Sequence, residues 1–191
     1  MDTLDERRSH RKKVAKPLLW IGMVSIIMMF AGLTSGYIVR RAEGNWIEFE
    51  MPQIFYVSTI LLALSSLALI WARRSVRQSN LQAVKFGLML ALGLGLAFSY
   101  SQVQGWQSLI NIGVYFTGPG SNAAGSFFYV ITLAHLLHVV AGLIVLMVML
   151  RKASQLKYTS QDHLGLNLGM MFWHFLGVLW LYLFLFLAII R

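Results

Sequence analysis

FGLMLALGLGLAFSYSQVQGWQSLINIGVYFTGPGSNAAGSFFYVITLAHLLHVVAGLIVLMVML, residues 86–150, holds no Asp, Glu, Lys or Arg from Phe86 to Leu150. In water so long an uncharged apolar stretch would aggregate, whereas a chain that crosses hydrocarbon requires one. Two spans fit within it or just overlap its start: Ala83 to Val103 and Gly125 to Leu150. The segment between them, Gln104 to Ala124, carries Trp106, Tyr115, Phe116 and the turn Gly118-Pro119-Gly120. Trp and Tyr there suit the headgroup layer.

Working outward, three more apolar runs have membrane length: Leu18 to Val39, Ile54 to Ala72 and Asn167 to Ile190. Each is long enough as a helix to cross roughly 30 Å of hydrocarbon. The fold class that follows is all-α: a polytopic membrane protein, a bundle of five transmembrane helices. Pro17 suits the first turn of the first helix, where a missing N–H costs little. Residues 1–16 then form a basic tail, and residues 17–191 a single five-helix domain. No repeat of fixed period and no low-complexity linker divides it.

Composition agrees. The chain is 58% hydrophobic and 12% charged, with a mean hydropathy of +0.66, against roughly a quarter charged in soluble domains. The net charge of +9 would suggest nucleic acid in a soluble protein. Here the basic residues flank apolar runs, so they encode orientation and no nucleic-acid partner is expected. The first run, Leu18 to Val39, is too long for a signal-peptide core and no small-x-small cleavage site follows it. With no cysteine, disulfides, thiolate metal sites and a Cys nucleophile are excluded.

Counting Lys and Arg sets the topology. With the N-terminus inside, the inner segments hold Arg7, Arg8, Arg11, Lys12, Lys13 and Lys16, then Arg73, Arg74, Arg77 and Lys85, then Arg151, Lys152 and Lys157; outside are Arg40, Arg41 and Arg191. Thirteen against three places the N-terminus in the cytoplasm and the C-terminus in the periplasm of a bacterial inner membrane.

Polar residues within lipid are costly and are therefore the functional candidates. The fourth helix has Thr132, His135, His138 and Gly142 on one face, at spacings of three and four. The fifth has Asn167, His174 and Gly177, flanked by Trp173 and Trp180. The third has Gly87, Ala91, Gly95 and Gln102, and the second Thr59 and Ser66. Two readings of His135, His138 and His174 stand side by side. As ligands, they could serve a haem or a metal; as neutral side chains, they would hydrogen-bond across helices or to headgroups. A bis-His haem needs one His from each of two facing helices, and nothing else marks a zinc or copper site. The pairs Gly32/Gly36 and Gly165/Gly169 permit close helix contact. All seven Asp and Glu lie in the tail or loops, which disfavours a proton pump or ion-coupled transporter. No Walker loop, dinucleotide fingerprint or nucleophile–base pair is present.

The last two helices resemble subunit III of haem–copper terminal oxidases, the cytochrome c oxidase type. That family carries G-S-x-F-[FY]-x-x-T-x-x-H-x-x-H-V-x-x-G; here stand Gly125, Ser126, Phe127, Phe128, Tyr129, Thr132, His135, His138, Val139 and Gly142. The family's W-H-F-x-D-x-x-W is Trp173, His174, Phe175, Leu176, Gly177 and Trp180. The loop from Thr159 to Gly165 is similar to the family's loop between these helices. Pro52, Thr59, Ser65 and Ser66, and then Phe98, Gln102 and Trp106, extend the resemblance to residues 50–190. The chain departs where many members carry acids: Gly105, Asn167 and Gly177 replace them. On this alignment Gly105→Glu is expected to restore a carboxyl in the membrane.

The resemblance implies a short, five-helix bacterial subunit III that is not catalytic. It would hold no metal or haem itself, with haem and copper in the partner subunits. It would pack beside catalytic subunit I and subunit II, bind phospholipid, and support assembly and proton uptake. Gln102, Tyr129, Thr132, His135, His138, Trp173, His174 and Trp180 would then be lipid or inter-helix contacts. Two rivals are a cytochrome b-type electron carrier using His135 or His138 with His174, and a subunit-III-like accessory protein of nitric oxide reductase.

Overall fold

In a computed structural model, the chain is described over residues 2–43, 46–78, 80–155 and 164–190, with side chains from residue 13 onward except that of residue 77. Five helices follow in order: α1 Asp2–Arg41, α2 Ile54–Arg77, α3 Leu81–Asn111, α4 Ala123–Ser154 and α5 Leu164–Ile189. No strand occurs among the described residues. All five helices contain a span apolar and long enough to cross a membrane. The protein is therefore a multi-pass membrane protein with an all-α five-helix bundle. The positions of Lys157 and of the loop from Thr159 to His163 lie outside the described residues.

Most helix ends lie beyond the apolar runs. Arg73 and Arg74 do not end α2, which continues to Arg77. Charge changes the solvent a helix prefers without breaking its hydrogen bonds. Helix α3 runs through Gln104, Gly105 and Trp106 to Asn111, past the expected end at Val103. There the Gly113 and Val114 N–H groups close onto Ile110 O at 3.0 Å and Leu109 O at 3.0 Å. Gly113 has φ +83°, the left-handed residue that such a helix stop needs. Asn122 begins α4 by accepting the Gly125 N–H at 2.7 Å, an N-cap bond.

Helix α1 corrects the expectation about Pro17. The helix begins at Asp2, so Pro17 lies inside it rather than in its first turn. The residue removes one amide donor, the one that would reach the carbonyl of Lys13. That carbonyl lies where the basic segment meets the apolar run, a level at which water and headgroups are available as alternative partners.

The helices run alternately up and down. Helix α2 packs along α3, α3 along α4, α4 along α5, and α5 back against α2. Among the described residues, helix α1 packs only against α4 and α5. Its contact face is narrow: Met23, Phe30 and Tyr37, seven apart, and Thr34 are buried, while Ile21, Met28 and Val39 face outward. Of the paired glycines, Gly169 packs against Met149 and Gly36 against Phe127, whereas a Cβ on Gly32 or Gly165 would meet nothing within 4 Å among the described residues.

Candidate functional site

The interior is built around two tryptophans of α5. Trp173 is fully buried and donates its indole N–H to Ser65 Oγ of α2 at 2.9 Å. Ser65 donates in turn to the Ala91 carbonyl of α3 at 3.2 Å. The ring fits because two helices lack side chains beside it. A Cβ on Gly95 of α3 would lie 2.7 Å from the ring, and one on Gly142 of α4 3.0 Å from it. Glycines that let a large ring reach between backbones are how membrane helices gain packing without a hydrophobic drive. Both glycines stand on the faces read from the sequence. Their shared partner did not, because a helical period names a face and not the residue opposite it.

Seven residues further along α5, Trp180 donates to Thr59 Oγ1 of α2 at 2.9 Å. Thr59 donates its own O–H to the Phe55 carbonyl at 2.8 Å. On its other side Trp180 stacks on His135 of α4, with centroids 5.1 Å apart and planes at 30°. His135 is wholly buried. Phe98 of α3 and Phe30 of α1 stand edge-on to it at 6.1 and 6.3 Å. Neither imidazole nitrogen has a hydrogen-bond partner. Perpendicular ring pairs let an N–H edge meet a π face, a weak substitute for a hydrogen bond. His135 is thus a packed ring that joins four helices.

The other expected residues have different surroundings. Thr132 accepts the Trp106 indole N–H at 3.0 Å and donates to its own helix at Phe128 O, 2.8 Å away. Tyr129 donates toward Trp106 O at 3.2 Å and Val114 O at 3.0 Å, fixing the end of α3 and the following loop to α4. Gln102 donates to Ser58 Oγ at 2.8 Å, while its own Oε1 is buried without a partner. Ser58 was not singled out in the sequence; a small hydroxyl in an apolar run gives no local signal of a partner 44 positions away. His138 is only partly buried. Its Nδ1 bonds the Ala134 carbonyl at 2.7 Å, and since a carbonyl only accepts, that nitrogen carries the proton. His174 is half-buried at another place, a cavity that it shares with Lys16, Arg73 and Asn167.

The three membrane histidines do not form a ligand set. Among the described residues no three His, Cys, Asp or Glu gather. Along α5, His174 lies six residues from the tryptophan that covers His135, about 9 Å at 1.5 Å per residue. The carrier reading needed one His from each of two facing helices, and Trp180 occupies that place opposite His135.

Gly105, where a restored acid was expected, is buried in α3. A Cβ there would lie 2.5 Å from the ring of Phe55, itself buried. Phe55 fills the space that a Glu at 105 would need.

The chain has relatives. A family model described as cytochrome c oxidase subunit III matches residues 47–190. A cytochrome c oxidase subunit 3 of Cyanidium caldarium is 33% identical over 139 residues, 72% of this chain and 49% of that protein. The chain thus spans about half the length of that relative. One of Thermostichus vulcanus is 28% identical over 180 residues, covering 90% of this chain and 85% of its own. A cytochrome bo(3) ubiquinol oxidase subunit 3 of Buchnera aphidicola is 30% identical over 172 residues, 88% of this chain and 89% of its own. With three-quarters of its length matched, the chain belongs to the cytochrome c oxidase subunit III family.

Proposed function

We propose that this chain is the non-catalytic subunit III of a bacterial haem–copper terminal oxidase, which reduces oxygen and moves protons. It packs beside subunits I and II, which carry the haem and copper. Its own part is to stabilise the assembly, hold lipid and support proton uptake. The observation that carries the reading is the use of the residues that carry the family resemblance, within the matched range. Trp173, Trp180, His135, Thr132 and Gln102 are spent on joining helices, and none is arranged around a reacting centre.

Lipid holding is supported by the way α1 stands off the bundle. Between its first half and α4 and α5 lies an apolar cleft of about 630 Å³, lined by Met23, Ile26, Val148, Met149 and Phe172, with Lys152 beside it. An acyl chain suits such walls, and a lysine near the headgroup layer suits a phosphate. Relatives named for cytochrome c and for ubiquinol oxidases both match this chain, so electron-donor recognition belongs to other subunits. The thirteen-to-three distribution of Lys and Arg supports an inner-membrane protein with residues 1–16 in the cytoplasm and the C-terminus in the periplasm.

Mild-detergent isolation of the tagged chain from its own membranes tests the reading. The expected result is co-isolation of haem- and copper-bearing subunits with oxygen-reducing activity. A chain that comes away alone, or with a nitric oxide reductase, would overturn it. So would a Soret band that stays with the chain after the subunits are separated, which would favour the cytochrome b-type reading.

A further inference from the structure

His138 differs from the other membrane residues that carry the family resemblance. Trp173, Trp180, Thr132 and Tyr129 find their partners inside the bundle, and the unpaired atoms of His135 and Gln102 are enclosed. The ring of His138 is only partly buried. Phe30 of α1 stands edge-on to it, with centroids 5.9 Å apart, and the Ala134 carbonyl holds its Nδ1–H at 2.7 Å. With the proton on Nδ1, Nε2 of the neutral ring is a bare acceptor. That nitrogen has no partner among the described residues and is not enclosed by them, so it opens outward. We propose that the outer seam between α1 and α4 at His138 receives a transmembrane helix of a partner subunit, which donates an N–H or O–H to His138 Nε2.

Depth decides what can reach that nitrogen. Helix α4 has 32 residues, about 48 Å at 1.5 Å per residue, and His138 stands at its midpoint. Wherever hydrocarbon of roughly 30 Å is set along that length, the midpoint falls inside it. Acyl chains carry no donor, so the unpaired acceptor is costly against lipid. Ionisable side chains at such a depth face protein or a water-filled cavity, and His138 lines neither cavity described above. A donor on a neighbouring helix remains. The local surface suits one. Ala134 and Ala141 lie about one turn to either side of His138 on the same face of α4, and Leu137 beside it is exposed. Small residues that flank a polar one let a second helix come close enough to bond. The partner's identity as an oxidase subunit rests on the function proposed above, whereas the face rests on residues of this chain.

The test uses the full chain in its own membranes. A photoreactive benzophenone side chain placed at Leu137 should form an adduct with a second polypeptide, mapped by mass spectrometry to a transmembrane segment. Retention is read separately, as the share of the chain that stays with its partner subunits through a dilution series in mild detergent. His138→Leu, which removes the acceptor, should weaken retention roughly three- to tenfold, the scale of one hydrogen bond between membrane helices. His138→Gln, which offers an amide oxygen near the place of Nε2, should recover most of it. Ala141→Leu should weaken retention as well by holding the second helix away. Its site is exposed, so it decides the matter if His138→Leu fails to accumulate. Adducts with lipid alone at Leu137, while oxidase subunits still co-isolate, would overturn this face and leave the oxidase reading standing. Equal retention by the parent, His138→Leu and Ala141→Leu would do the same. An adduct with a transmembrane segment of a nitric oxide reductase would support the face and overturn the oxidase reading.

Discussion

The ring of Phe55 on α2 stands in the space where a side chain on Gly105 of α3 would begin, 2.5 Å from the position of a Cβ. Each residue accounts for the other: the glycine admits the ring, and the ring leaves no room for an acid. Phe55 also meets Phe128 of α4 at 5.2 Å, edge to face, so it is held from a second side. Gly105→Ala should therefore destabilise the isolated protein by about 1–3 kcal/mol through overpacking, and Gly105→Glu by more. Phe55→Leu should recover much of the Gly105→Ala loss. Thermal unfolding in detergent, followed by tryptophan fluorescence, measures both, and a Gly105→Ala protein as stable as the parent would contradict the packing.

Trp173 separates hydrogen bonding from volume. Trp173→Phe removes the N–H that reaches Ser65 and should cost about 0.6 kcal/mol, the usual scale of an inter-helix bond in a membrane. Trp173→Ala empties the space shaped by Gly95 and Gly142 and should cost about 3–5 kcal/mol. Ser65→Ala combined with Trp173→Phe should be less than additive in a double-mutant cycle, because both changes remove one bond.

His135 is expected to behave as a ring and not as a ligand. Because neither nitrogen has a hydrogen-bond partner, His135→Leu loses no strong hydrogen bond and should change stability by less than about 1 kcal/mol. His135→Ala leaves a hole beneath Trp180 and should cost about 2 kcal/mol or more. Subunit retention and oxygen reduction by the assembled complex provide the second readout. A leucine variant that packs normally yet abolishes activity would assign the imidazole a chemical role.

Topology can be checked at described positions. A reporter active only outside the cytoplasm should work when fused after Gly118, in the loop between α3 and α4. The same reporter should be silent after Gln78 or Gln155, beside the basic ends of α2 and α4. Activity at either of these would reverse the orientation.

The sequence by itself determined the number of helices and the apolar stretch in each that is long enough to cross lipid. Those features are local: apolar length must match hydrocarbon thickness, and a charge must sit at its edge. The same local rule explains why the apolar runs fell short of the true helix ends, since α2 passes Arg73 and α3 passes Gly105 without a break. The faces carrying Thr132, His135 and Gly142, and Gly87, Ala91 and Gly95, were legible because a helical period is also local. Only the tertiary structure decided what each face meets. Between membrane helices there is little hydrophobic preference for one neighbour over another, so shape and hydrogen bonding choose the partner. That choice set Trp173 into the gap left by Gly95 and Gly142, closed Trp180 over His135, and gave the room at Gly105 to Phe55.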